Sequence, residues 1–242
     1  MLNSNNLKCI AIICMIIDHI GFFFVDNVDY NTYFLCRSIG RIAMPLFIFL
    51  LVEGFFYTKN LKKYIFRIFS IASLTQIIIN LFNYIDIKFF YDKVSNLTSL
   101  NILFSFTLIL IILRCIDTNI LKNLKLDYII RTLIILSCIG IYYIIKIDYG
   151  IYGVLIAITF YVLKKYSDKI EKFVKYLIQT TIVVIFSILS INNIIGIFVI
   201  ISNVLILLYN HNKGKNNKYV SLLFYSIFPL QYMILYIIKL FM

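Results

Sequence analysis

Long apolar stretches that do not alternate constrain this chain more than any motif. They run for about 17–21 residues, the length a helix needs to cross a hydrocarbon layer of about 30 Å. A membrane barrel would instead show alternating segments of about ten residues. The composition agrees: 62% of the 242 residues are hydrophobic and 14% are charged, and the mean hydropathy is +0.94. A water-soluble fold with this composition would have too little polar surface to cover its core. In lipid the backbone must satisfy its own hydrogen bonds, which leaves helices or closed barrels. The sequence therefore predicts an all-α, polytopic integral membrane bundle forming one domain over residues 1–242. Nine helices are expected, at 7–25, 38–57, 64–84, 99–115, 127–146, 149–164, 173–190, 194–210 and 219–241. Tight turns are expected at Asp148–Gly150 and Asn192–Asn193. The first apolar run, Leu7 to Val25, is too long for a signal-peptide core and has no small-residue cleavage site, so it reads as a retained helix.

Lys and Arg placement sets the orientation. Alternate links carry Lys59, Lys62, Lys63 and Arg67; Arg114, Lys122, Lys125 and Arg131; Lys164, Lys165, Lys169, Lys172 and Lys175; and Lys213, Lys215 and Lys218. Lys8 joins them. The opposite side holds Arg37, Arg41, Lys88, Lys93, Lys146 and Lys239. The bias puts the N-terminus in the cytoplasm of a cell membrane. It also accounts for the formal charge of +12 through anionic headgroups, with no nucleic-acid partner. Cys9, Cys14, Cys36, Cys115 and Cys138 lie in or at the ends of apolar runs and read as small hydrophobic residues. Two histidines leave no basis for a multi-histidine metal site.

Ionisable residues inside spans are costly and mark candidate function. Helix 1 carries Asp18 and His19, with Lys8 at its cytoplasmic end. Helix 2 carries Arg37 and Arg41 near its outer end and Glu53 near its inner end. Lys8 and His19 are eleven residues apart, which puts them on one helix face about 16 Å apart. An antiparallel helix 2 would bring Arg37 and Arg41 to the depth of Asp18 and His19. Pro45 cannot donate to the Arg41 carbonyl, which frees a polar atom there. Plainer readings stay open. Asp18 can pair with Arg37 or Arg41 only to neutralise charge. His19 can be an interhelical hydrogen-bonding residue, Arg37 can snorkel outward, and Glu53 can pair with Lys59 or Lys62. Gln76, Asn80 and Asn83 on helix 3, with Asn101 and Ser105 on helix 4, read as polar glue between helices.

Several blocks resemble the TraX family, named for F-pilin acetylation. They are Leu7–Gly21 (LKCIAIICMIIDHIG), Ile39–Tyr64 (IGRIAMPLFIFLLVEGFFYTKNLKKY), Asn101–Phe104 (NILF), Asp148–Gly153 (DYGIYG) and Phe224–Tyr232 (FYSIFPLQY). In the closing block the family commonly has histidine where this chain has Gln231. A glutamine cannot titrate; it can only hydrogen-bond. The Lys8–His19 spacing is also similar to the Arg and His of acyltransferase 3-type membrane acyltransferases, with Lys in place of Arg.

These resemblances imply acetyl transfer from acetyl-CoA to an amine or hydroxyl of a pilin-like protein or envelope glycan. On that reading Lys8 and Arg37 meet the anionic co-substrate and His19 acts as general base. Asp18 or Glu53 orients His19 or stabilises its cation, and Arg41 stabilises the developing oxyanion. Two other functions use the same residues: a transporter or flippase with a buried charged path, and a non-catalytic assembly protein of an envelope or conjugation apparatus.

Overall fold

The computed structural model describes residues 1–90, 100–120, 123–145, 147, 149–191, 194–212, 214 and 218–241. Among these the regular structure is helical, with turns between the helices and two single-residue parallel bridges, Leu2 with Tyr209 and Leu100 with Ile147. The α-helices are α1 (Ser4–Phe23), α2 (Tyr30–Tyr57), α3 (Leu61–Phe90), α4 (Ile102–Asp117), α5 (Leu124–Ile144), α6 (Gly150–Lys165), α7 (Lys172–Ile191), α8 (Ile200–Leu207) and α9 (Lys218–Phe241). Five of them, α1, α2, α3, α7 and α9, contain stretches long and apolar enough to cross a membrane. Large apolar side chains such as Phe66, Leu133, Ile144, Leu177 and Leu189 are exposed. Lipid tails solvate such side chains as well as a protein core does.

The elements match the expected pattern in order and differ from it at two informative places. Helix α2 starts at Tyr30, about two turns before position 38. The polar stretch that reads as a loop is helical because Asp29 caps it. One Asp29 carboxylate oxygen accepts from the backbone N–H of Asn31 and Thr32, and the other accepts from the Thr32 hydroxyl at 2.6 Å. The Thr32 hydroxyl, followed by those amides, holds the Asp29 carboxyl below the usual carboxylate range. Arg37 and Arg41 therefore lie about two and three turns inside α2 and not at its N-terminal end.

The second difference is the eighth helix, expected to be continuous over 194–210. It is a 3₁₀ turn, Ile194–Val199, followed by the eight-residue α8. Gly196 lies against the backbone of Ser187 and Ile188, where a Cβ would come within 2.8 Å of the Ile188 Cα. The close approach to α7 goes with the tighter winding. Of the two expected tight turns, Asp148, Asn192 and Asn193 lie outside the described residues, as do Lys93, Lys122, Lys146, Lys213 and Lys215.

The described residues fall into two compact units, Met1–Leu50 with Val162–Met242, and Leu51–Tyr161. In the second unit α3 packs on α4 and α4 on α5. Asn101 links the first pair. Its backbone N–H and side-chain amide both donate to Gln76 Oε1, at 2.9 and 3.0 Å, and the amide also donates to the Ala72 carbonyl at 2.9 Å. Gln76 in turn donates to Asn80 at 3.0 Å. The Ser105 and Tyr142 hydroxyls, 3.0 Å apart, link α4 to α5. Asp127, fully buried, accepts from the Ile120 N–H and pairs with Arg131 at 2.8 Å. In lipid these partners satisfy groups that water cannot reach, so the expected polar glue between helices holds for Gln76, Asn101 and Ser105, while Asn80 bonds within α3. In the first unit α7 packs on the 3₁₀ turn and α8, and α1 packs on α9. Gln179 donates to Asn203 at 2.9 Å, and both are buried.

Candidate functional site

The intramembrane charges of helix 1 meet their partners within the first unit. Asp18 Oδ1 accepts from Arg37 Nη1 and from Arg41 Nη2, each at 2.9 Å. Arg41 also donates from Nε to the Arg37 carbonyl at 3.1 Å, which braces the two arginines against one another. Glycine makes the approach possible. A Cβ on Gly40 would overlap the Asp18 side chain, and one on Gly21 would overlap Cys36 Cβ. Asp18 facing Gly40 and Gly21 facing Cys36 also fix the sense of the pair: α1 and α2 run antiparallel. Asp18 neutralises only one of the two guanidiniums, so the trio carries a net positive charge.

His19 sits on a different face, because successive helical residues diverge by about 100°. Its ring packs on Tyr232 of α9 with centroids 4.9 Å apart. The Tyr232 hydroxyl lies 3.3 Å from Nε2. One turn further along both helices, Phe23 packs edge-on against Tyr236 at 4.7 Å. The contacts advance together on the two helices, so α1 and α9 run parallel. Towards their N-terminal ends, the Lys8 ammonium stands over the Phe224 ring at 5.4 Å. Lys8 and His19 thus share the α9-facing side of α1, as their spacing predicts. Gln231, buried, lies within polar range of the His19 ring. The Gln231 carboxamide thus faces the His19 ring closely enough to hydrogen-bond with it, off the ideal geometry.

Residues 3–239, nearly the whole chain, match the family described as TraX protein. The chain belongs to the TraX family. It is also similar to a protein of Dichelobacter nodosus described as "Probable fimbrial assembly protein FimC, serogroup H1". The two are 31% identical over 159 residues, which cover 63% of this chain and 59% of that protein. No solved structure matches.

Of the site residues expected in this TraX-family chain, Asp18, Arg37 and Arg41 form one contact group, and His19 and Lys8 line one side of α1. Asp18 gives its Oδ1 to the arginines, and the ring nitrogen of His19 finds Tyr232. Glu53 is buried and belongs to the second unit. Tyr232 was not singled out from the sequence. The available signal was its place at the end of the closing block, one residue after Gln231. Among the described residues no cluster of three or more His, Cys, Asp or Glu could hold a metal ion. All five cysteines are free thiols, with Cys14, Cys115 and Cys138 buried.

Proposed function

We propose that this chain is an integral membrane acetyltransferase that moves the acetyl group of acetyl-CoA to an amine or hydroxyl of a pilin-like protein or envelope glycan. The observation that carries the reading is His19, an imidazole set between the Tyr232 hydroxyl and the Gln231 carboxamide. With Tyr232 accepting from Nε2–H, the Nδ1 lone pair is left to take a proton from the acceptor. The acceptor nitrogen or oxygen then bonds to the acetyl carbon, the carbon–sulfur bond breaks, and the thiolate leaves to be protonated. The residues present fit such a co-substrate. Lys8, on the same side of α1 at its N-terminal end, is a cation for phosphate groups. The net positive charge of Asp18, Arg37 and Arg41 favours negative charge that develops nearby. On the resemblance to acyltransferase 3-type enzymes Lys8 would take the place of their Arg, offering a point charge without the bidentate fork.

The same reading takes the chain as one TraX-like domain with nine crossings and a cytoplasmic N-terminus in the cell membrane. Support comes from the pairing of Leu2 with Tyr209 and from the parallel course of α1 and α9. Each fits an even number of crossings between the two segments concerned, a parity that nine crossings share with the five of the long apolar helices. The pairing of Leu100 with Ile147 fits the same for α4 and α5.

A second reading is favoured by the printed description of the Dichelobacter nodosus relative: a non-catalytic role in pilus assembly. Transfer from labelled acetyl-CoA in membranes, with protein amount measured alongside, separates the two. The expected result for His19→Ala is a fall of about 10²–10⁴-fold at equal protein level, the usual worth of a general base. Wild-type transfer by that variant would remove His19 as the base. Absence of saturable acetyl-CoA binding by the purified wild type would favour the assembly role.

A further inference from the structure

Proton abstraction turns His19 into an imidazolium. Both of its N–H groups then need acceptors, and the bilayer supplies no water to serve as one. Asp18 is engaged elsewhere: its Oδ1 takes both guanidiniums, and at the His19 ring the field of its carboxylate is opposed by those of Arg37 and Arg41. What remains is a pair of neutral groups from adjacent residues of α9. The Tyr232 hydroxyl lies 3.3 Å from Nε2. The Gln231 carboxamide faces the same ring, off the ideal hydrogen-bond geometry. Gln231 is 5% exposed, and leucine or methionine would fill a similar volume at no polar cost. Packing alone therefore does not call for glutamine here.

We propose that Gln231 is a positioning residue for the protonated base: its Oε1 accepts the Nδ1–H that forms when His19 takes the acceptor's proton, while Tyr232 keeps Nε2–H. The inference rests on the acetyl-transfer reading and deepens it by naming what holds the proton between its two moves. At rest the neutral ring has one N–H, on Nε2, and Nδ1 offers a lone pair. A carboxamide seated off the ideal direction leaves that lone pair to the acceptor. The proton then crosses to Nδ1 as the acceptor's nitrogen or oxygen bonds to the acetyl carbon. The carbon–sulfur bond breaks with its electron pair on sulfur, and Nδ1–H stays with Oε1 until it is returned to the thiolate. A contact of this kind is stronger in the transition state than at rest, which is the condition for raising kcat. Catalytic hydrogen bonds are often poorly aligned before substrate binds and tighten afterwards. A histidine at position 231, as the family commonly has, would itself titrate; the carboxamide accepts without changing charge.

The test reads the ring apart from transfer. Full-length protein labelled with ¹⁵N-histidine is studied by NMR in lipid nanodiscs. His211→Asn, at a positive-φ position that asparagine tolerates, leaves His19 as the one histidine. Neutral His19 is expected to carry its proton on Nε2, with Gln231 in place and in Gln231→Met alike; an unchanged Nε2 signal also shows that the Met variant is folded. In acid the Nδ1 resonance of the imidazolium is expected to differ between the two, because methionine removes the acceptor oxygen. A resting proton on Nδ1, or the same imidazolium Nδ1 resonance in both proteins, would overturn the proposal. Transfer from labelled acetyl-CoA is then measured in membranes at matched protein amounts. Gln231→Met is expected to lower the rate at saturating acetyl-CoA by about 10–100-fold, the worth of a hydrogen bond to a charged group, with KM for acetyl-CoA unchanged. Gln231→Glu, whose carboxylate also accepts, is expected to recover most of that loss. A full rate in the Met variant, or an effect on KM alone, would also overturn the proposal. A Gln231-dependent Nδ1 resonance in a protein that transfers no acetyl group would leave the hydrogen bond standing and sink the acetyltransferase reading. Transfer with a Gln231-independent resonance would do the reverse.

Discussion

Replacing Asp18 with asparagine keeps the shape of the side chain and removes its charge. Two guanidiniums then face a neutral oxygen where each had a carboxylate at 2.9 Å. At an effective dielectric of about 20, each contact is worth about 6 kcal/mol of Coulomb attraction. Desolvation of the three groups offsets much of this. Breaking a buried pair by removing one partner costs about 3–5 kcal/mol, because the other charge stays buried and unpaired. Arg41 is the more buried of the two cations, with 7% of its side chain exposed against 22% for Arg37, so it should dominate the loss. The assay is thermal unfolding and yield of the purified protein in detergent for Asp18→Asn, Arg41→Gln and the double variant. Each single variant should be less stable than wild type by several kcal/mol. The double variant should recover part of that loss, because it leaves no charge at the Arg41 position to bury. Asp18→Asn at wild-type yield and melting temperature would show that the carboxylate does not hold these helices together. Equal stability of the double and single variants would show that Arg41 is not the cation left stranded.

Gly40→Ala should destabilise the protein by about 1–3 kcal/mol, because the new Cβ would overlap the Asp18 side chain. Gly140→Ala on α5 is the control: its Cβ would meet nothing within 4 Å, so unfolding should be unchanged or raised by up to about 1 kcal/mol from helix propensity. Equal melting temperatures for the two variants would refute the close-approach argument. In a cysteine-free background, single cysteines in the links 58–63, 116–126, 165–172 and 211–218 should resist an impermeant reagent added to intact cells. Labelling of the 116–126 link from outside would break the nine-crossing arrangement.

Much of the molecule was legible along the chain because lipid imposes a one-dimensional rule. A span must be long, apolar and helical, and its flanking charges sort by side. The order of the helices follows from that rule. So does the suspicion attached to Asp18, His19, Arg37 and Arg41, since each is expensive where it stands. Fixed helical geometry also set Lys8 and His19 on one face of α1. The rule says nothing about ends that are capped by local chemistry, so the start of α2 at Tyr30 emerged only with the Asp29 cap. The broken eighth helix likewise depends on a contact between Gly196 and the backbone of α7, which apolarity does not encode.

Partner choice was decided by tertiary structure alone. Helical spacing gives a side chain's direction on its own helix but not which helix lies across from it. Asp18 could have served His19, its neighbour in sequence, or either arginine. The approach of α2 at Gly40 gave its Oδ1 to both arginines. The parallel packing of α9 against a different side of α1 brought Tyr232 and Gln231 to His19, from more than two hundred residues away along the chain. Contacts at that separation arise from packing of whole helices, and no local sequence pattern carries them.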